Sequence, residues 1–288
     1  MARGWRVLSY SSLGCLSGPR CHQRGFASAR TVAGGPFSSV TPVHALLALN
    51  AAVFLVAAYA PIWDEKKREE EMEARRRDVY SFYFFFSTQA AAGKRSSNAD
   101  TGVAFINRHM ILSNRALAEG RPYTLFTSAA MHSSISHLLF NSMALYTFGQ
   151  NVNAMLGTRR FLGLYAVGAL ASSGTQSLFN VARHRYDQGT VGASGAVLAL
   201  SAFSCAMLPG GRVRIYGVIP VPSWAFVVGI VGWSAYNMAT EIEEDRRGRK
   251  GGGSSLIGSE SGIAHAGHLG GAIAGLAFFL ALRRGRLR

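Results

Sequence analysis

Apolar residues gather into six blocks along the 288-residue chain, each near the length a helix needs to cross a hydrocarbon core, about 20 residues. The first runs from about Pro42 to Trp63, the second from Ser133 to Val152 and the third from Phe161 to Val181. The fourth begins near Gly192 and ends before Pro209-Gly210-Gly211, the fifth covers Tyr216 to Thr240, and the sixth Ala264 to Leu282. Glycines and hydroxyl residues recur inside these blocks. They weaken a soluble helix but are tolerated where helices pack in lipid. The predicted fold class is all-α: a polytopic membrane protein with a bundle of six transmembrane helices.

The segments between blocks differ in kind. A long first loop, 64–122, opens on the mixed-charge run Asp64 to Glu71 and contains the aromatic stretch Tyr80 to Phe86, too short to span and suited to the membrane interface. A charged, Gly/Ser-rich linker, Glu241 to Gly262, separates the last two blocks. Ahead of the membrane domain, 41–282, residues 1–40 carry five arginines, many serines and no carboxylate. That composition predicts an organellar transit peptide, and Arg24-Gly25-Phe26 before Ala27-Ser28 is similar to a mitochondrial processing site. The chain ends in a basic tail, 283–288.

Loop charge orients the bundle. With the N-terminus inside, the leader, Arg159-Arg160, Arg212 with Arg214, and the tail hold thirteen basic residues and no acidic one. All fifteen carboxylates fall in the outer segments, as expected when inner loops are enriched in Lys and Arg. The eight inner basic residues beyond the leader preserve the sign.

Composition narrows the class further. Hydrophobic residues make up 49% and charged residues 16%, against roughly a quarter charged in soluble domains. A net charge of +15 raises nucleic acid as a partner, but the arginines punctuate apolar blocks and form no basic-aromatic face, so no nucleic-acid binding is expected. Cys15, Cys21 and Cys205 imply no disulfide framework.

Polar residues inside the blocks carry the candidate chemistry. Ser194 opens the fourth block within Gly192-Ala193-Ser194-Gly195-Ala196. A serine between glycines in a membrane helix is by itself a packing residue. At a helix start, however, backbone N–H groups unpaired by the helix can face a developing oxyanion, and the glycines let backbone and substrate come close. His268 lies near the start of the sixth block, followed by Gly271 and Gly275 at a spacing that predicts close packing against a Gly192/Ala196 face. It is the candidate base. His137 and Asn141, four apart at the start of the second block, share a helical face and can donate toward one point or simply bridge helices. His132, His137, Ser194 and His268 all fall at one depth near the outer face. A metal between His265 and His268 is disfavoured, since no carboxylate lies within a span and no third ligand has suitable spacing.

These residues resemble the motifs of the rhomboids, a family of intramembrane serine proteases. The resemblance rests on His-x4-His-x3-Asn over His132–Asn141, Gly-x-Ser-Gly over Gly192–Gly195, and Ala-Gly-His-x-Gly-Gly-x3-Gly over Ala266–Gly275. It covers roughly Thr41 to Leu282, and the leader with the GASGA and HAGHLGG forms is most similar to the mitochondrial branch. The resemblance implies Ser194 as nucleophile and His268 as general base of a dyad. It implies that His137, Asn141 and the Ser194 N–H hold the oxyanion, with Gly192 and His132 in support. Single-span membrane proteins in the lipid bilayer would be the substrates, no cofactor or metal is called for, and the location would be the mitochondrial inner membrane, multi-pass. A non-catalytic relative that binds transmembrane segments is the alternative. Two features depart from the family pattern: Leu198 replaces the Tyr that many bacterial members stack on the catalytic His, leaving packing to orient the ring, and Arg121-Pro122-Tyr123 does not match the family's Trp-Arg pair.

Overall fold

A computed structural model describes residues 40–59, 102–215, 219–247 and 264–285, all within the compact unit Val40–Arg288. The expected leader, the charged and aromatic parts of the first loop, most of the Gly/Ser linker and the end of the tail lie outside the described residues.

The first block forms α1, Pro42–Tyr59. Proline suits a first helical turn, where its missing N–H would have had no partner in the helix. Three short helices follow: α2 (Gly102–Met110) and α3 (Asn114–Ala118) in the last part of the first loop, and α4 (Thr124–Thr127) just beyond it, running into a 3₁₀ turn, Ser128–Ala130. The second and third blocks are α5 (Ile135–Leu156) and α6 (Thr158–Ala182). Ser134 caps α5 by accepting the His137 N–H at 3.1 Å, and Gly157 at φ +75° turns the chain from α5 directly into α6. The fourth block is α7, Ser194–Met207, and the sixth is α9, His265–Arg283.

The fifth block departs from expectation. Its helix, α8, spans Ser223–Arg246 and so begins seven residues later than Tyr216. Before it the chain forms an antiparallel hairpin of β1 (Arg212–Ile215) and β2 (Ile219–Pro222), a small exception to the all-α reading. Pro220 and Pro222 explain the delay. Proline removes a helical donor and pushes the residue before it toward extended backbone.

Polar and apolar residues are distributed inside out. Leu139, Phe140, Leu178, Val228, Tyr236, Ile273 and Leu280 are exposed, whereas Asn141, Gln176, Asn180, Ser234 and Asn237 are buried. Among the described helices only α9 is by itself both long and apolar enough to cross a membrane; α1 and α7 are apolar but shorter. The inward polar residues of α5, α6 and α8, with the charged end of α8, account for this.

At the centre stands α7, buried without interruption from Gly195 to Ser204. A helix apolar on all sides is suited to such a place. Phe203 meets Phe278 and Phe279 edge-on at 5.9 and 6.3 Å, and Leu200 and Phe203 share one cluster with Phe148 and Phe161. Against α9 the packing is backbone on backbone. A Cβ at Gly271 would fall on the carbonyl of Gly195, and one at Gly275 on that of Ala199. The backbone of α7 that meets α9 is thus that of Gly195 and Ala199, three residues on from the expected Gly192/Ala196, while the Ala199 methyl and the Ala196 backbone pack on Gly168 of α6.

An ionic clamp joins α8 to the end of α6 beyond their apolar stretches. The Arg183 side chain, only 6% exposed, donates from Nε to Asp245 Oδ2 at 2.5 Å and from Nη2 to the Glu241 carbonyl at 2.8 Å, and also pairs with the Glu241 carboxylate. Arg185 Nη2 reaches Asp245 Oδ1 at 3.0 Å, and the Arg183 guanidinium lies 4.9 Å from the centre of the Phe179 ring. The hydrogen bond from Arg183, reinforced by both arginine charges, holds the Asp245 carboxyl below its ordinary range.

Two outcomes test this packing. Gly271→Ala should lower thermal stability in detergent by about 1–3 kcal/mol, because a methyl must displace backbone, while Gly232→Ala, which faces open space, should stay within about 0.5 kcal/mol of wild type. The depressed Asp245 carboxyl stabilises the fold above the ordinary carboxylate range, and that contribution is lost as pH falls through its folded value. Acid-unfolding curves of wild type and Asp245→Asn should therefore differ at neutral pH and converge only once pH has fallen below the ordinary carboxylate range.

Candidate active site

The site forms where α5, α7, α8 and α9 meet. Gly192, at φ +124°, carries the chain into α7, and its N–H donates to the Ser128 carbonyl at 2.9 Å, tying this loop to the 3₁₀ turn. The turn places Ser194 in the first helical position, where the N–H groups of α7 lack acceptors within the helix. Ala193 before it is fully buried, while Ser194 itself is half-buried.

Facing it, α9 is held at its own first turn. The Gly267 N–H, another donor without an acceptor in its helix, is taken by Gln176 Oε1 of α6 at 3.1 Å, and Gln176 Nε2 donates to Asn180 Oδ1 at 3.0 Å. With the start of α9 fixed and Gly271 seated on Gly195, His268 lies over the start of α7. Its Nε2 is 2.8 Å from Ser194 Oγ. Its Nδ1 is 2.9 Å from Ser234 Oγ on α8. The imidazole is thus hydrogen-bonded through both nitrogens to two serines from two other helices. The expectation that packing alone orients this ring is corrected, since Ser234 supplies a directional partner while Leu198 is buried in the core.

Residues from α5 and the segment before it approach from the other side. A Cβ on Gly192 would lie 2.7 Å from Cε1 and 2.8 Å from Nε2 of His137, and 3.8 Å from Ser194 Oγ, so the His137 ring rests directly on the Gly192 backbone beside the serine. Ser133 Oγ lies 3.1 Å from His137 Nδ1 and fixes the ring from behind. Asn141 is buried, and its Nδ2 donates to the His137 carbonyl at 2.8 Å, within its own helix. His132 is fully buried and edge-on to His137, with ring centres 5.0 Å apart, and among the described residues no partner stands at ordinary hydrogen-bond geometry to either of its nitrogens. His265 is buried edge-on to Trp233 at 4.9 Å and perpendicular to His268 at 6.3 Å.

Gln176 and Ser234 escaped the reading of the sequence. Gln176 carried a usable signal, since a glutamine and an asparagine four apart in an apolar block share one helical face and call for partners. Ser234 carried almost none; a lone serine in a membrane helix commonly bonds back to its own backbone. Chemically, a hydroxyl bonded to an imidazole that a third group orients is the arrangement that activates a serine oxygen.

Residues 119–285, more than half of the chain, match the Rhomboid domain. The chain therefore belongs to the rhomboid family and is a membrane protein. It is 28% identical over 201 residues to the RHOMBOID-like protein 12, mitochondrial, of Arabidopsis thaliana, covering 64% of this chain and 53% of that protein. To the Rhomboid protein 1, mitochondrial, of Saccharomyces cerevisiae it is 29% identical over 142 residues, 47% of this chain and 39% of that one. To the human Presenilin-associated rhomboid-like protein, mitochondrial, it is 28% identical over 152 residues, 53% of this chain and 36% of that one. These matches span between about a third and a half of the relatives' lengths.

Gly192→Ala probes the close approach of loop and histidine. A methyl at φ +124° is strained by about 1–3 kcal/mol and meets the His137 ring. The variant should melt lower than wild type in detergent; an unchanged melting temperature would show that loop and ring accommodate the methyl without cost.

Proposed function

We propose that the protein is an intramembrane serine endopeptidase that cleaves peptide bonds in or near transmembrane segments of membrane-anchored proteins. The observation that carries this reading is the 2.8 Å separation of Ser194 Oγ and His268 Nε2 within a rhomboid domain. Ser194 is the nucleophile and His268 the general base. His268 Nε2 takes the hydroxyl proton as Oγ attacks the carbonyl carbon, and the tetrahedral oxyanion that forms is held by the Ser194 N–H and by donors from α5. When the carbon–nitrogen bond breaks, His268 returns the proton to the leaving amine and an acyl-enzyme remains. Water, deprotonated by the same imidazole, then releases the new carboxyl end and restores Ser194.

His137 is the better placed of the two α5 candidates for the oxyanion, because its Nε2 borders Gly192 beside Ser194. Asn141, engaged with the His137 carbonyl, contributes through α5 and its own donors, and His132 supports the His137 ring. A substrate helix must unwind locally before its carbonyl can meet Ser194, since helical carbonyls are shielded by neighbouring turns.

The inside-out distribution supports a bundle in which α1, α5, α6, α7, α8 and α9 all cross the bilayer, although only α9 qualifies by its own length and apolarity. Large apolar side chains are exposed on α1, α5, α6, α8 and α9, as lipid-facing helices require. The arginine-rich leader and the mitochondrial names of the relatives support the mitochondrial inner membrane as the location.

The test uses purified protein in liposomes with a single-span reporter, beside a fluorophosphonate probe. Wild type should cleave and label, and Ser194→Ala and His268→Ala should each lower cleavage by at least about a thousandfold and abolish labelling. A folded wild type that neither labels nor cleaves would favour the non-catalytic binder of transmembrane segments.

A further inference from the structure

We propose that Ser234 is a positioning residue that fixes the tautomer and ring plane of His268, so that three residues from three helices, Ser194, His268 and Ser234, form one hydrogen-bonded unit. The inference rests on the protease reading above and extends it to α8, whose motifs gave no hint of a role at the site.

The geometry carries the argument. Ser234 is fully buried, and its Oγ lies 2.9 Å from His268 Nδ1, while Nε2 of the same ring faces Ser194 at 2.8 Å. To take a proton from Ser194, Nε2 must present a lone pair, so in the neutral ring Nδ1 bears the hydrogen. A buried N–H without an acceptor forfeits its hydrogen bond to water, and Ser234 Oγ is the acceptor at hand. The opposite tautomer would put a hydrogen on Nε2 and a lone pair on Nδ1, and could not serve as base toward Ser194. During proton transfer Nε2 gains the Ser194 proton while Nδ1 keeps its own, so Ser234 changes neither its bonds nor its charge. A hydroxyl cannot offset the imidazolium charge as a carboxylate would. Its role is therefore orientation and choice of tautomer.

Neighbouring side chains hold Ser234 in place. Trp233 packs edge-on against His265, one turn before His268, and Asn237 Nδ2 donates to the Trp233 carbonyl at 2.7 Å. Beyond these, Arg183 clamps the α8 residues Glu241 and Asp245. The rotation of α8 about its axis, and with it the direction of the Ser234 hydroxyl, is set by contacts on both sides of the residue.

The test compares full-length wild type, Ser234→Ala and Ser234→Thr in liposomes, with histidine-labelled protein for nitrogen NMR and the His268 signals assigned by their loss in His268→Ala. Expected are a fall in kcat of about 10- to 100-fold in Ser234→Ala at nearly unchanged KM, and recovery to within about threefold in Ser234→Thr. The His268 signal should report hydrogen on Nδ1 in wild type and in Ser234→Thr, and a growing share on Nε2 in Ser234→Ala. Wild-type kcat in Ser234→Ala, or a lowered kcat with the tautomer unchanged, overturns the proposal. Should Ser234→Ala fail to fold, the wild-type spectrum decides: hydrogen on Nδ1 supports the role and hydrogen on Nε2 overturns it. Cleavage that survives Ser194→Ala would instead overturn the protease reading, whatever Ser234 does.

Discussion

The contact of α9 with α7 through bare backbone is the constraint on which the site depends. Gly271 lies against Gly195, and Gly275 against Ala199, with no side chain between them. This brings the helix axes close enough for an imidazole on one helix to reach a hydroxyl on the other. Any bulk at those glycines would widen the gap by a good part of an ångström, more than a hydrogen bond tolerates. The same contact sets the register of the two helices, and Gln176 fixes it by taking the Gly267 N–H. Packing and chemistry here are two descriptions of one interface.

Much of this was legible in the order of residues. Six apolar blocks became the helices α1, α5, α6, α7, α8 and α9, although among the described helices only α9 is by itself long and apolar enough to cross a membrane. The Gly192–Ala196 and Ala266–Gly275 motifs were legible because glycines flanking a polar residue are costly in a helix without a reason. The exact face of α7 was not. Gly195 and Ala199 differ from Gly192 and Ala196 by under one turn, and small residues on every side leave the rotation undetermined until the neighbouring helices are in place. The late start of α8 turned on Pro220 and Pro222, whose effect outweighs the apolar character of the residues before them. Ser234 was invisible because its partner lies on the next helix, across a linker whose length says nothing about which side chains will meet.

Large apolar side chains are exposed on the outside of the bundle, while amides and hydroxyls are buried beside its apolar core. Buried amides and hydroxyls on α5, α6 and α8 bond mostly to backbone of their own or adjacent helices, as with Asn141 to His137, Ser173 to Leu125 and Asn237 to Trp233. Such bonds satisfy each group locally, and that of Ser173 also ties α6 to α4. His132 stands apart, since its ring is buried edge-on to His137 and, among the described residues, finds no partner at ordinary hydrogen-bond geometry.

The way α8 is anchored has a mechanical consequence. At its start, the Ser223 N–H and hydroxyl both donate to the Gly211 carbonyl, at 2.9 and 2.8 Å, and near its end Asp245 is gripped by two arginines. A rod pinned at both ends cannot swing; it can only bow, and the amplitude of a bow is greatest halfway along. Ser234 stands eleven residues from each pin. Slight flexing of this one helix, with neither anchor broken, would be felt most at the oxygen that faces His268.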